Sequence, residues 1–379
     1  MKKVLLVCTV PALASYSINV IRAAINSKEV ACYACVFLDG NDHSSYEARM
    51  SRYGLTPDQE DRIQFNLLAS NKITRIRSGK RYLSAAKNFA ELHQVEIIHF
   101  ISQDVMLAGH LNMFKDYKLC YTVHDLAPHP VKLSWLQRLK HYYFRIRKDQ
   151  MLVHRVQYLV TNSIHQEKEL KKLYPNKVIY RHQMPSNVTP AIKNGIQTVP
   201  QRNGWSNYLL FFGRIELYKG LEDLYQDMTS DPRLAKLKLI VAGRGDLYFE
   251  RSVANEENVL FINRYIRDEE IADLFTNAAL LVLPYQSATQ SAVTSIAYQY
   301  QVPVIASDIE GLRDTVTHGK TGLLYDPKVP GELANAIIKL TSDPELYQDI
   351  RQYLEKEQPF FNELELSRQI SAIYQRLGS

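Results

Sequence analysis

The sequence predicts an α/β protein made of two doubly wound domains in tandem, and three observations lead to this prediction. In the first half of the chain, short apolar segments alternate with segments of helical periodicity. Residues Met184–Ser206 interrupt this pattern with three prolines, two glycines and many polar side chains. A second alternation of the same kind then follows. Nearly continuous apolar strands, each followed by a helix, are typical of parallel sheets covered on both faces.

The predicted strands are Val4–Thr9, Ala31–Leu38, Ile97–Ile101, Leu119–Val123, Val156–Thr161, Val178–Tyr180, Tyr208–Phe212, Leu237–Ala242, Val259–Ile262, Leu280–Leu283 and Val304–Ala306. The predicted helices are Tyr16–Asn26, Arg81–His93, Trp135–Asp149, Ile164–Leu173, Leu221–Met228, Glu269–Asn277, Ser291–Tyr300, Leu312–His318, Glu332–Leu340 and Glu363–Leu377. They form two Rossmann-like domains, residues 1–187 and 188–359. Ligands of such sheets bind beyond the carboxyl ends of the strands, so we predict a site in a cleft between two facing domains.

Composition limits the possible classes of protein. Of the 379 residues, 46% are hydrophobic, which excludes a disordered or fibrous chain. The apolar start is interrupted by Pro11 and Ser15, so we predict a first strand rather than a secretion signal. No run of about 18 apolar residues is present to span a membrane. We therefore expect a cytoplasmic protein.

Charge is divided unevenly between the halves. Residues 1–200 hold 28 Lys and Arg against 15 Asp and Glu, whereas residues 201–379 hold 18 against 25. The basic half could face anionic lipid headgroups or a phosphate-bearing acceptor, and no recognition motif accompanies it that would indicate nucleic acid. Lys132–Lys148 is basic and aromatic at helical spacing, which suits either a membrane surface or a solvated helix face. We accordingly predict a possible peripheral position at the inner face of the membrane.

The pair Cys32 and Cys35 has the spacing of a redox or metal motif. It lies within an apolar strand, where residues three apart point to opposite faces of a sheet. We therefore predict that the pair is structural. No second such pair or histidine pair completes a zinc site.

The segment from Phe211 to Gly220 combines a strand end with two cations. Gly213 permits a tight turn, and Arg214 and Lys219 lie on the loop that leads into a helix. Free amide groups and the positive end of a helix dipole favour anions at such a turn. Arg supplies a planar fork of donors and Lys a point charge. The pattern favours a diphosphate site, the alternative being a solvated loop.

Two further loops follow predicted strands of the second half. After Leu283-Pro284, the residues Ser287, Thr289 and Ser291 can cap the next helix, and amide groups from Thr289 to Ala292 can hold a phosphate or sugar hydroxyls. The alternative is an ordinary capped helix. Residues 263–266, which include Tyr265 and Ile266, can contribute backbone groups to a nucleotide base.

In the first half, His124 and Asp125 follow a strand directly. An imidazole at a strand end can bind a sugar hydroxyl or carry a proton, although a single histidine is often structural. The sequence has no D-x-D for a divalent metal, no P-loop and no G-x-S-x-G nucleophile motif. Phosphate binding is therefore expected to depend on Arg, Lys and backbone dipoles, without a metal or another cofactor.

Together, these motifs resemble those of the retaining GT-B glycosyltransferases of family 4, the group 1 type. The likeness extends from Tyr208 to Leu340. It is carried by Gly213-Arg214, Tyr218-Lys219-Gly220, Ala242-Gly243, the helix before Leu281–Pro284, Pro303–Ser307 with Gly311-Leu312, Gly319, Thr321–Leu323 and Pro327.

The resemblance implies a hexosyltransferase-type enzyme that uses a nucleoside diphosphate sugar, with UDP or GDP favoured. The donor would bind the second domain and a glycan or lipid-linked acceptor the first, as in cell-surface polysaccharide synthesis. Arg214 and Lys219 match the diphosphate-binding pair and His124 a residue near the donor sugar, which makes these three the candidate catalytic residues. The implied donor contacts are Gly213, Arg214, Lys219, Tyr265, Ile266, Thr289, Gln290, Ser291, Ala292 and Ile296. His124 and Asp125 are the implied acceptor-side residues, and the last helix, within 360–379, would pack back on the first domain.

The chain departs from the family pattern at two positions. The family carries two Glu separated by seven residues, where this sequence has Ala288 and Ile296. Thr289, Gln290 and Ser291 are candidates to replace the lost contacts. The missing carboxylates leave a non-catalytic GT-B scaffold open as an alternative, and a sugar nucleotide epimerase of similar fold is a further one.

Overall fold

The computed structural model describes residues 1–10, 14–102, 105–124, 126, 147–252, 256–357 and 362–377. The chain forms two compact units. The first comprises the described residues up to Pro185 together with those from Asn362 onward, and the second the described residues from Ser186 to Phe361. Each unit is built on one parallel sheet.

The sheet of the first unit has seven strands in the order β3-β2-β1-β4-β5-β6-β7, and every neighbouring pair is parallel. Its strands are β1 (Lys3–Cys8), β2 (Ala31–Leu38), β3 (Ile63–Leu67), β4 (Ile97–Phe100), β5 (Lys118–Thr122), β6 (Tyr158–Thr161) and β7 (Val178–Arg181). Its described α-helices are α1 (Ala14–Ile25), α2 (Tyr46–Arg52), α3 (Lys72–Arg77), α4 (Gly79–Leu92), α5 (Val105–His110), α6 (Arg147–Arg155) and α7 (Ile164–Leu173), and a last helix, Glu363–Arg376, also belongs to this unit. The order of strands reverses between β1 and β4, as in doubly wound sheets.

The sheet of the second unit has six strands in the order β10-β9-β8-β11-β12-β13, again all parallel. Its strands are β8 (Tyr208–Phe212), β9 (Leu239–Ala242), β10 (Val259–Ile262), β11 (Ala278–Leu283), β12 (Val304–Ser307) and β13 (Gly322–Tyr325). Its described α-helices are α8 (Pro190–Lys193), α9 (Leu221–Ser230), α10 (Asp268–Thr276), α11 (Val293–Gln299), α12 (Glu310–Arg313), α13 (Glu332–Ser342) and α14 (Pro344–Glu357), and the last helix is α15 (Glu363–Arg376). The switch in strand order falls between β8 and β11. Because these two strands are adjacent and parallel, the loops that follow them lie side by side at one edge of the sheet.

Two edge strands, β3 and β13, are absent from the sequence prediction. An edge strand is exposed on one side, and β3 alternates apolar and polar residues instead of forming an apolar run. β13 begins at Gly322, and the glycines at positions 319 and 322 favour a turn in the sequence pattern. The predicted helix Trp135–Asp149 lies mostly outside the described residues; the part that is described belongs to α6.

The cysteine pair of β2 is structural, as predicted. Cys32 packs in the core on one side of the first sheet and Cys35 in the core on the other side. Burial raises the pKa of the Cys32 thiol to about 12, and the charge of Arg62 opposes this shift. Neither thiol forms a disulfide.

The helix α15 packs against the first unit. Tyr374 is fully buried, and its hydroxyl lies 2.6 Å from Nδ1 of His99 in β4. Arg22 of α1 donates to the carboxylate of Glu363, and the hydroxyls of Ser27 and Ser371 are hydrogen-bonded to each other.

No helix among the described residues is long and apolar enough to cross a bilayer.

Candidate functional site

Two glycines bring the ends of β8 and β9 into close contact. Gly213 follows β8 with a φ of 120°, and its N–H donates to the carbonyl of Ala242 at 3.0 Å. Gly243 follows β9, and a Cβ placed there would lie 1.9 Å from the carbonyl oxygen of Gly213. A side chain at position 243 would therefore force the two loops apart.

Lys219 lies under the turn that Gly213 begins. It ends a short 3₁₀ turn, Leu217–Lys219, and only 8% of the residue is exposed. Its Nζ lies 2.9 Å from the position of a Cβ on Gly213 and 5.2 Å from the centroid of the Tyr285 ring. Among the described residues, no carboxylate pairs with this ammonium, and the ammonium donates no hydrogen bond. The absence of a Cβ at Gly213 leaves the space in which the ammonium lies.

The 3₁₀ turn is attached to the loop after β11. Gly220 has a φ of 61°, and a Cβ at this residue would lie 1.9 Å from the carbonyl oxygen of Pro284. The N–H of Gln286 donates to the carbonyl of Tyr218 at 2.8 Å. Helix α9 starts directly after Gly220. The switch point between β8 and β11 thus combines a helix N-terminus with a buried cation, which is an arrangement that binds anions.

Arg214 differs from Lys219 in its surroundings. Its side chain is 75% exposed and forms an ion pair with Glu216, with 2.8 Å between Nη1 and Oε1. Exposed ion pairs of this kind contribute about 0–1 kcal/mol. The guanidinium is therefore free to exchange Glu216 for another anion at small cost.

Three polar atoms in the loop after β11 are buried without a hydrogen-bond partner among the described residues. They are Oη of Tyr285, Oγ of Ser287 and Nε2 of Gln290. Buried polar groups are nearly always paired in folded proteins, so each such atom calls for an explanation. Gln290 is a predicted donor contact, whereas Tyr285 and Ser287 are not among the predicted donor contacts. Their position directly after a buried strand was the available signal.

The next helix, α11, begins later than predicted. Its N-cap is Ala292, without a side-chain cap, so the expected capping by Ser287, Thr289 or Ser291 is wrong. Instead, Ser291 accepts a hydrogen bond on its carbonyl from the Thr294 hydroxyl at 2.8 Å. This leaves residues 287–292 as a loop, which packs so closely on α12 that a Cβ at Gly311 would lie 2.1 Å from the Ala288 carbonyl oxygen. Ile296 is 2% exposed and its side chain lies in the apolar core.

The loop after β10 places Tyr265 on the surface. Its side chain is 67% exposed, whereas Ile266 is buried. Asn263 fixes the loop by donating to the carbonyl of Gly245 at 2.8 Å and accepting from its N–H at 3.1 Å. Arg264 pairs with the buried carboxylate of Glu270 at 2.8 Å. This hydrogen-bonded pair lowers the pKa of Glu270 to about 2.

His124 lies on the first unit, after β5. Its Nε2 is 2.9 Å from the carbonyl oxygen of Ile101, and its ring meets that of Tyr16 edge-on at 4.7 Å. Asp125 lies outside the described residues. Two buried histidines, His99 and His182, are neighbours of His124, and the pKa of each is lowered by burial and by the adjacent imidazoles.

Comparison with known proteins places these observations in a family context. Residues 195–357, which include all the strand-end loops of the second unit, match the family described as glycosyl transferases group 1. The uncharacterized glycosyltransferase MJ1607 of Methanocaldococcus jannaschii is 24% identical over 223 residues, covering 52% of this chain and 55% of the relative. The chain spans about half, or less, of the length of the curated relatives it matches.

Solved structures extend the likeness to the whole chain. Sucrose-phosphate synthase from Thermosynechococcus elongatus superposes with a TM-score of 0.70 at 18% identity, covering 100% of this chain and 99% of that one. The Anabaena protein Alr3699/HepE, solved in complex with UDP-glucose, has a TM-score of 0.68 at 15% identity, covering 99% and 100%. The chain has the GT-B fold. The fold class predicted from the sequence is thereby confirmed.

Within this GT-B fold, the second unit brings together Gly213, Lys219 and the loop 284–292 at the switch point of its sheet. Arg214 lies next to them in sequence but points its guanidinium to Glu216. Tyr265 and Ile266 belong to the loop after β10, and His124 to the other unit. In the part of the chain that is described, no group of three or more His, Cys, Asp or Glu could hold a metal ion. The expectation of a metal-independent reaction stays a prediction.

Proposed function

We propose that this protein transfers a sugar from a nucleoside diphosphate sugar to an acceptor, and that the second unit binds the donor. The observation that carries the proposal is Lys219, a buried ammonium at the switch point of the sheet without an anionic partner in the described chain. Burying a charge without a partner is costly, so such a group is retained where it binds an anion of the ligand. A diphosphate supplies that anion. The group 1 family match over the same residues supports this reading.

In the proposed reaction, the bond between the sugar and the diphosphate breaks while the acceptor hydroxyl bonds to the sugar and loses its proton. Negative charge builds up on the departing diphosphate. Lys219 and the first amide groups of α9 stabilise this charge from preorganised positions. Arg214 leaves Glu216 and adds a second cation with a planar pair of donors. Retention of configuration is part of the proposal and follows from the family resemblance.

UDP is the nucleotide we favour over GDP, because a solved protein of the same fold binds UDP-glucose. We assign the base to Tyr265 and Ile266, where the exposed Tyr265 ring offers a stacking surface. The sugar is assigned to Thr289, Gln290, Ser291 and Ala292, with the Ser287 hydroxyl as an added contact. These groups take the place of the two carboxylates that this chain lacks at Ala288 and Ile296.

The acceptor is proposed to be a glycan or lipid-linked sugar that binds the first unit near His124 and Asp125. The excess of cations in residues 1–200 supports attraction to anionic lipid. We therefore propose that the protein is cytoplasmic and binds peripherally at the inner face of the membrane. Cosedimentation with anionic vesicles at low and at high salt measures this attraction. Absence of binding at low salt would end the membrane proposal without affecting the donor site.

A donor screen tests the proposed function. Melting temperatures are measured with UDP-, GDP-, ADP- and dTDP-sugars, since a ligand that binds the folded state at 100 times its Kd adds about 2.7 kcal/mol of stability. We expect at least one UDP-sugar to raise the melting temperature. The R214A/K219A double variant should lose that shift and any transfer activity while remaining folded.

The Lys339→Ala variant is the matched control, because Lys339 is an exposed lysine of the same unit. It should retain both the ligand shift and activity. If none of the four nucleotide sugars raises the melting temperature, the non-catalytic scaffold would be favoured instead. Full activity in the R214A/K219A variant would show that the diphosphate binds elsewhere.

A further inference from the structure

The Lys219 ammonium needs something to hold it before any ligand arrives. A lysine side chain has four rotatable bonds, and fixing it costs conformational entropy. Two other part-buried cations of the described chain are held by carboxylates, Arg202 by Asp273 at 2.9 Å and Arg264 by Glu270 at 2.8 Å. Lys219 has no such partner among the described residues. What faces it is the ring of Tyr285.

Tyr285 is itself held firmly. It is 2% exposed and belongs to the apolar core of the second unit. The ring of Tyr218 meets it edge-on, with 6.2 Å between centroids. The preceding Pro284 carbonyl abuts Gly220, the residue directly after Lys219. The ring and the lysine backbone are therefore fixed to each other through adjacent residues of two loops.

An aromatic ring differs from a carboxylate in one respect that matters for anion binding. A carboxylate would hold the ammonium and also neutralise it, so an incoming phosphate would have to compete. The ring attracts the cation through its quadrupole and leaves the full charge in place. It also makes no use of the three N–H donors of the ammonium, which stay available to phosphate oxygens.

We propose that Tyr285 is a positioning residue, whose ring holds the Lys219 ammonium at the end of β8 and keeps its charge and donors available for the diphosphate. This inference rests on the proposed function, since it assigns the ligand of Lys219. It also gives a role to Tyr285 without using its hydroxyl. The ring carries the effect, and the buried Oη is dispensable for it.

The test compares UDP affinity, measured by titration calorimetry, in variants of the full chain. Tyr285→Phe keeps the ring and should bind UDP within about twofold of the wild type. Tyr285→Leu removes the ring and should weaken UDP binding roughly 10- to 30-fold, the range expected for a desolvated cation–π contact. Phe275→Leu is the matched control, because Phe275 is a buried ring of the same core that contacts Phe212 and Tyr300 and, among the described residues, no cation. It should bind UDP like the wild type.

A double variant separates positioning from general damage to the fold. If Tyr285 acts through Lys219, Tyr285→Leu should cause no further loss in a Lys219→Ala background, and the two effects should not add. If Tyr285→Leu does not unfold cooperatively, Tyr285→Met fills more of the space with an apolar chain and replaces it in the comparison.

The outcomes distinguish this inference from the proposed function. If Lys219→Ala binds UDP as tightly as the wild type, the diphosphate site itself is wrongly assigned. If Lys219→Ala loses affinity but Tyr285→Leu does not, the proposed function stands and the positioning role is refuted. A loss in Tyr285→Phe equal to that in Tyr285→Leu would also refute it, since the hydroxyl would then be the group that matters.

Discussion

The two buried histidines of the first unit make its stability sensitive to mild acid. His99 is 3% exposed and His182 is 1% exposed. Burial and the neighbouring imidazoles lower the pKa of His99 to about 3. Burial lowers the pKa of His182 to about 4, although its hydrogen bond to the Gln183 carbonyl opposes the shift. Both rings are therefore neutral in the folded protein well below the pH at which an unfolded histidine gains a proton.

The size of the effect follows from linkage. Below a pH of about 6.5 the unfolded chain binds protons that the folded chain does not, so stability falls with pH until the folded pKa is reached. From pH 7 to pH 5, each histidine removes about 2 kcal/mol, since one pKa unit corresponds to about 1.36 kcal/mol. The two together remove about 4 kcal/mol as an upper value. Carboxyl groups, which titrate near pH 4, add little in this window.

Urea unfolding between pH 7 and pH 5, followed by far-ultraviolet circular dichroism, measures this drop. His99→Gln should be less stable at pH 7, because the contacts of the ring with Tyr374 and Thr122 are disturbed. Between pH 7 and pH 5, the free energy of unfolding of His99→Gln should nevertheless fall by about 2 kcal/mol less than that of the wild type. Replacing the exposed His43 by Gln serves as control. An equal drop in His99→Gln and the wild type would refute the reasoning.

Two further predictions concern the second unit. Lys219→Met should raise the free energy of unfolding of the ligand-free protein by about 1–2 kcal/mol, because an apolar side chain of similar length replaces a buried cation without a carboxylate partner. Thermal unfolding without and with UDP measures this change. A melting temperature below that of the wild type in the absence of ligand would contradict the prediction. Gly243→Ala should cost about 3 kcal/mol or more, because its Cβ would lie 1.9 Å from the Gly213 carbonyl oxygen. Gly331→Ala is its control, since φ is also positive there (81°) but nothing lies within 4 Å of the added Cβ. If urea unfolding shows the same loss of unfolding free energy in both variants, backbone strain and not the steric clash is the cause.

The sequence was sufficient for the parts of the fold that depend on local patterns. The apolar runs predicted the central strands of both sheets, and Gly213 with Lys219 predicted a turn at a strand end. The edge strand β3 was not predicted because its residues alternate between apolar and polar, and β13 was not predicted because glycines at positions 319 and 322 favour a turn. Their pairing depends on a neighbour far away in sequence, which no local pattern contains.

The candidate site was predictable in composition but not in geometry. The sequence pattern predicts that Arg214 and Lys219 both bind a diphosphate, but it does not show that they differ in burial. In the structure, Lys219 is buried over the ring of Tyr285, whereas Arg214 is exposed and pairs with Glu216. Burial depends on Gly220 and Pro284 meeting across two loops. The unpaired atoms of Tyr285 and Ser287 are likewise a product of packing. Ser291 was predicted to cap α11 because the sequence pattern places the start of a helix only to within a few residues.

The place of α15 in the first unit affects the order in which the protein can fold during synthesis. The first unit is discontinuous: some 176 residues of the second are inserted between Pro185 and Asn362. A ribosome therefore completes the second unit before it supplies Tyr374, which covers His99, and Glu363, which binds Arg22. The inserted unit can reach its native state while the surrounding one still lacks part of its core, and the earliest strands made are among the last to be fully covered.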